Sequence, residues 1–249
     1  MKAQYFQRHI RKIKPAIDAL KQMSALLCAL TLTTLLASCG SDQAGAGGNS
    51  GTGGPYANVI SAKHFVLSFS DLNPQVVGTG VIYTGITVTV TVTAGNRYDA
   101  VVGSGTVNFR TEVGLLSASS CQLSAGTCSI TWTSVMDGAD VPADAINTIT
   151  AWTLSGEDGF IDNNSSGVFD AGDTLTDDMG DPFLDITHDG TSLTYTPGLD
   201  LLVIPRTYNA PNGLYDGPEC DSTPPPNCGT SSTVIFDTNE MDLAIPATP

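Results

Sequence analysis

From Tyr56 onward, apolar and polar residues alternate in short runs. HFVLSFS (64–70), GITVTVTVTA (85–94), GTVNFRTEV (105–113), CSITWTS (128–134) and NTITAWTLS (147–155) combine β-branched and aromatic residues with a two-residue period. That period predicts half-buried strands. In the 85–94 run every second residue is threonine, so one face is apolar and the other hydroxylated, as an antiparallel sheet with one wet face requires. DLNPQ, AGNRYDAVVGSG and DGADVPAD separate the runs and carry turn chemistry. No amphipathic helix stands out after residue 38. The expected fold is all-β, a sandwich of regularly spaced short strands.

The stretch from Ile86 to Ser134 resembles the bacterial immunoglobulin-like domains of the invasin and intimin type. The matching pieces are Gly105-Thr106-Val107-Asn108-Phe109, Gly114-Leu115 and Thr131-Trp132-Thr133-Ser134. The likeness covers about residues 60–155 and implies an immunoglobulin-like β-sandwich. It departs from the pattern in its cysteine pair and in the acidic segment that follows. A sandwich of this type still lacks its last strand after NTITAWTLS. The next strand candidate is STVIFDTNEMDLAIP (232–246), so residues 156–230 read as a long acidic, loop-rich insertion before that strand. Grafted loops commonly carry function, and a loop of this length needs something to order it. Its modest apolar content points to metal ions and a disulfide.

The amino-terminal end changes the composition to be reasoned about. Lys2, Arg8, Arg11, Lys12, Lys14 and Lys21 precede an apolar run, Met23 to Ser38, too short for a membrane span. The run ends in Leu36-Ala37-Ser38-Cys39, which resembles the lipobox of bacterial lipoproteins. The resemblance implies a signal peptide over 1–38, lipid (palmitate among its acyl chains) on Cys39, and an anchor in the outer membrane, since Gly40 stands where retention in the inner membrane would want Asp. It does not say which face. Residues 39–55 then form the lipidated cysteine and a Gly/Ser-rich tether, and 56–249 the folded part. Removing 1–38 takes away 6 of 10 bases and 1 of 25 acids, leaving 4 and 24, a net charge of −20. Such a surface excludes nucleic acid as a partner. Cys121, Cys128, Cys220 and Cys228 remain, and an exported chain meets an oxidising compartment. Four cysteines allow three pairings; the local one, Cys121 with Cys128 and Cys220 with Cys228, is the simplest.

Fourteen acids lie between Glu157 and Asp221, against the single base Arg206. Within them DNNSSGVFDAGD (162–173) has the spacing of a calcium loop: Asp162, Asn164, Ser166, the Val168 carbonyl, Asp170 and Asp173 as oxygen donors, Gly167 at the sharp turn and Phe169 as an apolar anchor. A hard cation takes six to eight oxygens, and alternate side chains of a tight loop converge on one centre. The loop resembles those of EF-hands and dockerin repeats, with Asp173 shorter than the usual closing Glu and without helical flanks. Two fainter echoes begin at Asp185 and Tyr208. They suggest a second ion held by some of Asp181, Asp185, Asp189, Asp216 and Glu219. The competing explanation is a solvated acidic turn.

Trp132 and Trp152 read as core residues, His64 and His188 as surface residues. The chain lacks GxSxG, HExxH and a P-loop. The expectation is a non-catalytic, membrane-anchored lipoprotein that binds calcium in a structural, adhesive or interaction role, with a protein or glycan as possible partner. One alternative is a calcium-dependent carbohydrate-binding module, which wants two or three of Phe160, Tyr195, Tyr208 and Tyr215 coplanar and exposed near the ion. A carboxylate-based hydrolase is the other.

Overall fold

The threonine–valine alternation forms the strand Thr87–Ala94, with Val88, Val90, Val92 and Ala94 buried and the threonines turned outward. In the computed structural model, which describes residues 56–186, 194–221 and 228–246, this strand is central to one of two main sheets. Its order is Phe65–Phe69, Thr87–Ala94, Thr127–Thr133, Leu115–Leu116, all antiparallel. The second main sheet is built on Ile146–Glu157. Thr233–Asp242 runs antiparallel along its length, from Ile146↔Asp242 to Gly156↔Thr233. Thr106–Thr111 pairs with it from Ile149 to Trp152, Ser120–Gln122 flanks Thr106–Thr111, and Ile60–Ser61 adds a short parallel pairing. No α-helix occurs among the described residues; a 3-10 turn covers Ala62–His64.

The two sheets bury one shared core. Leu67, Val90, Val92, Ile130 and Trp132 come from the first, Val107, Phe109, Ile149, Ala151, Ile235 and Met241 from the second. Trp132 is fully buried, and its Nε1 donates to the Val113 carbonyl at 2.8 Å. Gly114 lies flat against this indole: an added Cβ would sit 2.4 Å from Nε1, and φ is +79°. On one open side, Asp237 Oδ2 accepts the Leu67 N–H at 2.7 Å and Asn239 Nδ2 donates to the Leu67 carbonyl at 3.2 Å. These side chains cap an edge strand that would otherwise present unpaired backbone groups.

The Cys121–Cys128 disulfide is formed, but not across a ladder. Cys121 pairs with Val107 in one sheet, Cys128 with Val92 in the other. The bridge therefore staples the sheets where the chain crosses between them, through a tight turn at Ala125 and Gly126, both at positive φ. Trp152 also departs from expectation. It is half-buried on the outward face, because inward positions of its strand fall to Ile149 and Ala151. His64 is half-buried, with Nε2 2.7 Å from Asp99 Oδ1.

Candidate calcium site

Gly159–Ile161 and Thr174–Asp177 pair antiparallel, so the 162–173 stretch is the loop of a β-hairpin. Backbone N–H groups turn onto its acidic side chains. Asp162 accepts from Ser166 at 3.0 Å and Gly167 at 2.8 Å; Asn164 Oδ1 accepts from Ser166 at 2.9 Å. Asp170 Oδ1 accepts from Gly172 at 2.9 Å; Asp173 accepts from Asn163 and Asp170, both at 2.9 Å. Gly167 has φ +79°, the left-handed turn its place in the loop requires. Side-chain donors bind the remaining oxygens. Asn164 Nδ2 donates to Asp170 Oδ2 at 2.7 Å and Ser166 Oγ to the Val168 carbonyl at 2.9 Å. The Asn164 amide is the main reason the Asp170 carboxyl is held below its ordinary range.

All six expected donors thus sit in one closed loop, linked to one another directly or through loop backbone. Among the described residues, no three His, Cys, Asp or Glu side chains gather into a metal-holding group. Asp162, Asp170 and Asp173 are thus not drawn onto one point; with an amide, a hydroxyl and a carbonyl they make up the donor set of the loop. That set suits a hard cation such as calcium. Asn164 Nδ2 and Ser166 Oγ supply the positive ends that a cation would supply, and rotating the Asn164 amide would turn its oxygen toward Asp170.

The loop is anchored by packing. Phe169 is buried, stacked on Tyr215 at 4.7 Å and edge-on to Phe160 at 5.5 Å. Its N–H donates to the Glu219 carbonyl at 3.2 Å, and Asp221 N–H returns to its carbonyl at 2.9 Å. Cys220 is bonded to Cys228, so the disulfide holds the segment that Phe169 bridges. The sequence reading missed this aromatic cluster as an organiser, because its three members are 9 and 46 residues apart.

It also missed Arg97. The guanidinium forms an ion pair with Glu157; side-chain exposures are 3% and 0%. Nη1 donates to the Gly167 carbonyl at 3.0 Å, and Nη2 to Tyr215 Oη and the Pro218 carbonyl, both at 2.9 Å. One side chain from a loop of the first sheet thus ties together the end of Ile146–Glu157, the calcium-type loop and the Tyr215 segment. Burial pushes the Glu157 carboxyl up, with Arg97 pulling it back. Burial and then the Glu157 charge push the Tyr215 phenol far up. Arg97 is one of only four bases after residue 38, which is the one sequence signal that could have marked it.

The acids suggested for a second ion go to different partners. Asp181 is buried, paired with Arg206, and accepts the Asn209 N–H at 2.9 Å. Asp185 is buried under Ile146–Glu157, where Thr148 Oγ1 donates to its carbonyl at 2.8 Å and Thr150 Oγ1 to the Phe183 carbonyl at 2.7 Å. Asp216 accepts from Asn212 Nδ2 at 3.0 Å and from Thr230 N–H, while its own N–H donates to Asp158 at 2.8 Å. Burial pushes the Asp158 carboxyl up to about 7, despite N–H bonds from Met179 and Asp216. Glu219 turns toward Tyr56, whose phenol it pushes up by accepting a hydrogen bond. Asp189, His188, Cys39, the signal segment and the tether lie outside the described residues.

No family model matches the chain, and no curated protein or solved structure matches it.

Proposed function

We propose that the chain is a non-catalytic lipoprotein, anchored through Cys39 in a bacterial outer membrane. It carries an immunoglobulin-like sandwich whose 156–230 insertion binds one calcium ion at Asp162, Asn164, Ser166, the Val168 carbonyl, Asp170 and Asp173, for a structural, adhesive or interaction role. The observation that carries the calcium reading is the closed hairpin loop itself. Its six oxygen donors belong to one loop that turns at a glycine of positive φ and is closed by hydrogen bonds among those donors and the loop backbone. Two sheets over one core support the sandwich.

The rings favour this reading over a calcium-dependent sugar platform. Phe160 and Tyr215 are buried, and Tyr195 and Tyr208 lie against each other at 4.2 Å. Calorimetric titration with calcium tests the reading. Wild type binds with a dissociation constant in the range of about 10⁻⁴–10⁻³ M common to extracellular modules. Asp162→Ala with Asp170→Ala abolishes the heat, and chelator then makes residues 156–220 protease-sensitive in wild type as the double variant already is. No calcium heat, and equal digestion in all four conditions, would make 162–173 a solvated acidic turn.

A further inference from the structure

The Ile146–Glu157 strand has a gap along one edge. Thr233–Asp242 follows the other edge from Ile146 to Gly156. On the gapped edge, Thr106–Thr111 pairs only as far as Trp152↔Asn108, and Ile60–Ser61 begins only at Gly156. Thr153, Leu154 and Ser155 lie between these two partners. A register shift falls at the same point, between Thr153 and Gly156. Irregularities of this kind end pairing and re-aim side chains, and they recur beside binding sites.

The gap opens into a groove of about 500 Å³, within the range of small-ligand sites. Its polar lining is uncharged. Ser104, Thr106, Thr153 and Ser155 bring hydroxyls; Asn58 and Asn108 bring amides. The hydroxyls of Ser104, Thr153 and Ser155 have no hydrogen-bond partner among the described residues. Thr106 Oγ1 only accepts, from Gln122 Nε2 at 2.8 Å, so its proton is available. Asn58 uses its oxygen on the Gly103 N–H at 3.3 Å, leaving its amide protons. Buried Ile60 contributes apolar lining, and Leu154, 64% exposed, does so at the surface.

We propose that this groove binds a neutral saccharide. Hydroxyl and amide groups both donate and accept, as sugar hydroxyls do, so the match does not depend on one protonation state. A charged ligand would find no counter-charge here, and the negative chain repels anions. Leu154 offers the exposed apolar surface that the C–H face of a sugar ring needs. An added peptide strand fits less well, because the free edge is only three residues long and closed at both ends by partner strands. None of the lining residues belongs to the 162–173 loop, so this site stands apart from the calcium reading.

The test is titration of the purified full chain with cellotriose, maltotriose and triacetylchitotriose at millimolar concentration, with calcium and again with chelator. At least one saturates, equally in both conditions. Thr153→Val with Ser155→Ala weakens it about tenfold. Ser155→Arg, which alters only an exposed position, blocks it without moving the unfolding midpoint. The proposal is overturned if none of the three binds, if both variants bind as wild type does, if chelator abolishes binding, or if a Ser/Thr-rich hexapeptide competes the sugar out and binds more tightly.

Discussion

Arg97→Met is the sharpest perturbation this structure offers. The substitution keeps the apolar stem and removes the guanidinium. It strands Glu157, fully buried, without its counter-charge. Breaking a buried pair from one side costs about 3–5 kcal/mol. The Gly167 and Pro218 carbonyls and Tyr215 Oη lose a donor as well, and each buried group left unmatched costs about 1–3 kcal/mol, though the two sums overlap. Against a typical total of about 5–15 kcal/mol, the variant should be near its unfolding threshold or have its 158–220 segment detached. Arg97→Met with Glu157→Gln should recover part of the loss, because no charge is then buried alone. Arg97→Lys should not rescue, since an ammonium on a flexible stem cannot bridge four partners at fixed angles. Urea unfolding followed by tryptophan fluorescence reads the strands, where Trp132 and Trp152 lie, and limited proteolysis reads the segment separately. If Arg97→Met unfolds within about 1 kcal/mol of wild type, with an unchanged digestion pattern, Arg97 is not the tie between sandwich and acidic segment.

Three further outcomes follow from particular residues. Asp158, raised to about 7 in the folded protein, makes the folded state hold the extra proton between about pH 4 and pH 7. Its contribution is present at low pH and lost as pH rises through 7, on the order of 4 kcal/mol in all. Asp158→Asn should flatten that part of the stability–pH curve, and an unchanged slope would remove Asp158 as its source. Gly114→Ala combines positive φ with a Cβ 2.4 Å from the Trp132 indole and should cost about 3 kcal/mol in urea unfolding; a loss below a third of that would mean the indole shifts freely. Cys39→Ser should abolish lipid labelling and release the protein from membranes, and a variant that still partitions with membranes after a salt wash would refute the lipid anchor.

Local pattern by itself determined the strands. The period-two runs at 64–70, 85–94, 105–113, 128–134 and 147–155, and the strand candidate at 232–246, each overlap an observed strand. A strand that must bury one face has little choice of register once its apolar residues alternate. The loop chemistry of 162–173 was also legible, because its oxygens and its glycine are consecutive in the chain. Tertiary structure alone decided what holds the acidic segment. Phe160, Phe169 and Tyr215 are distant in sequence, and Arg97 reaches Glu157 from sixty residues away. It also decided the outward place of Trp152, the role of Cys121–Cys128 as a link between sheets, and the edge gap at Thr153–Ser155. Each of these depends on which strands become neighbours, and a short-range hydrophobic period carries no information about partners.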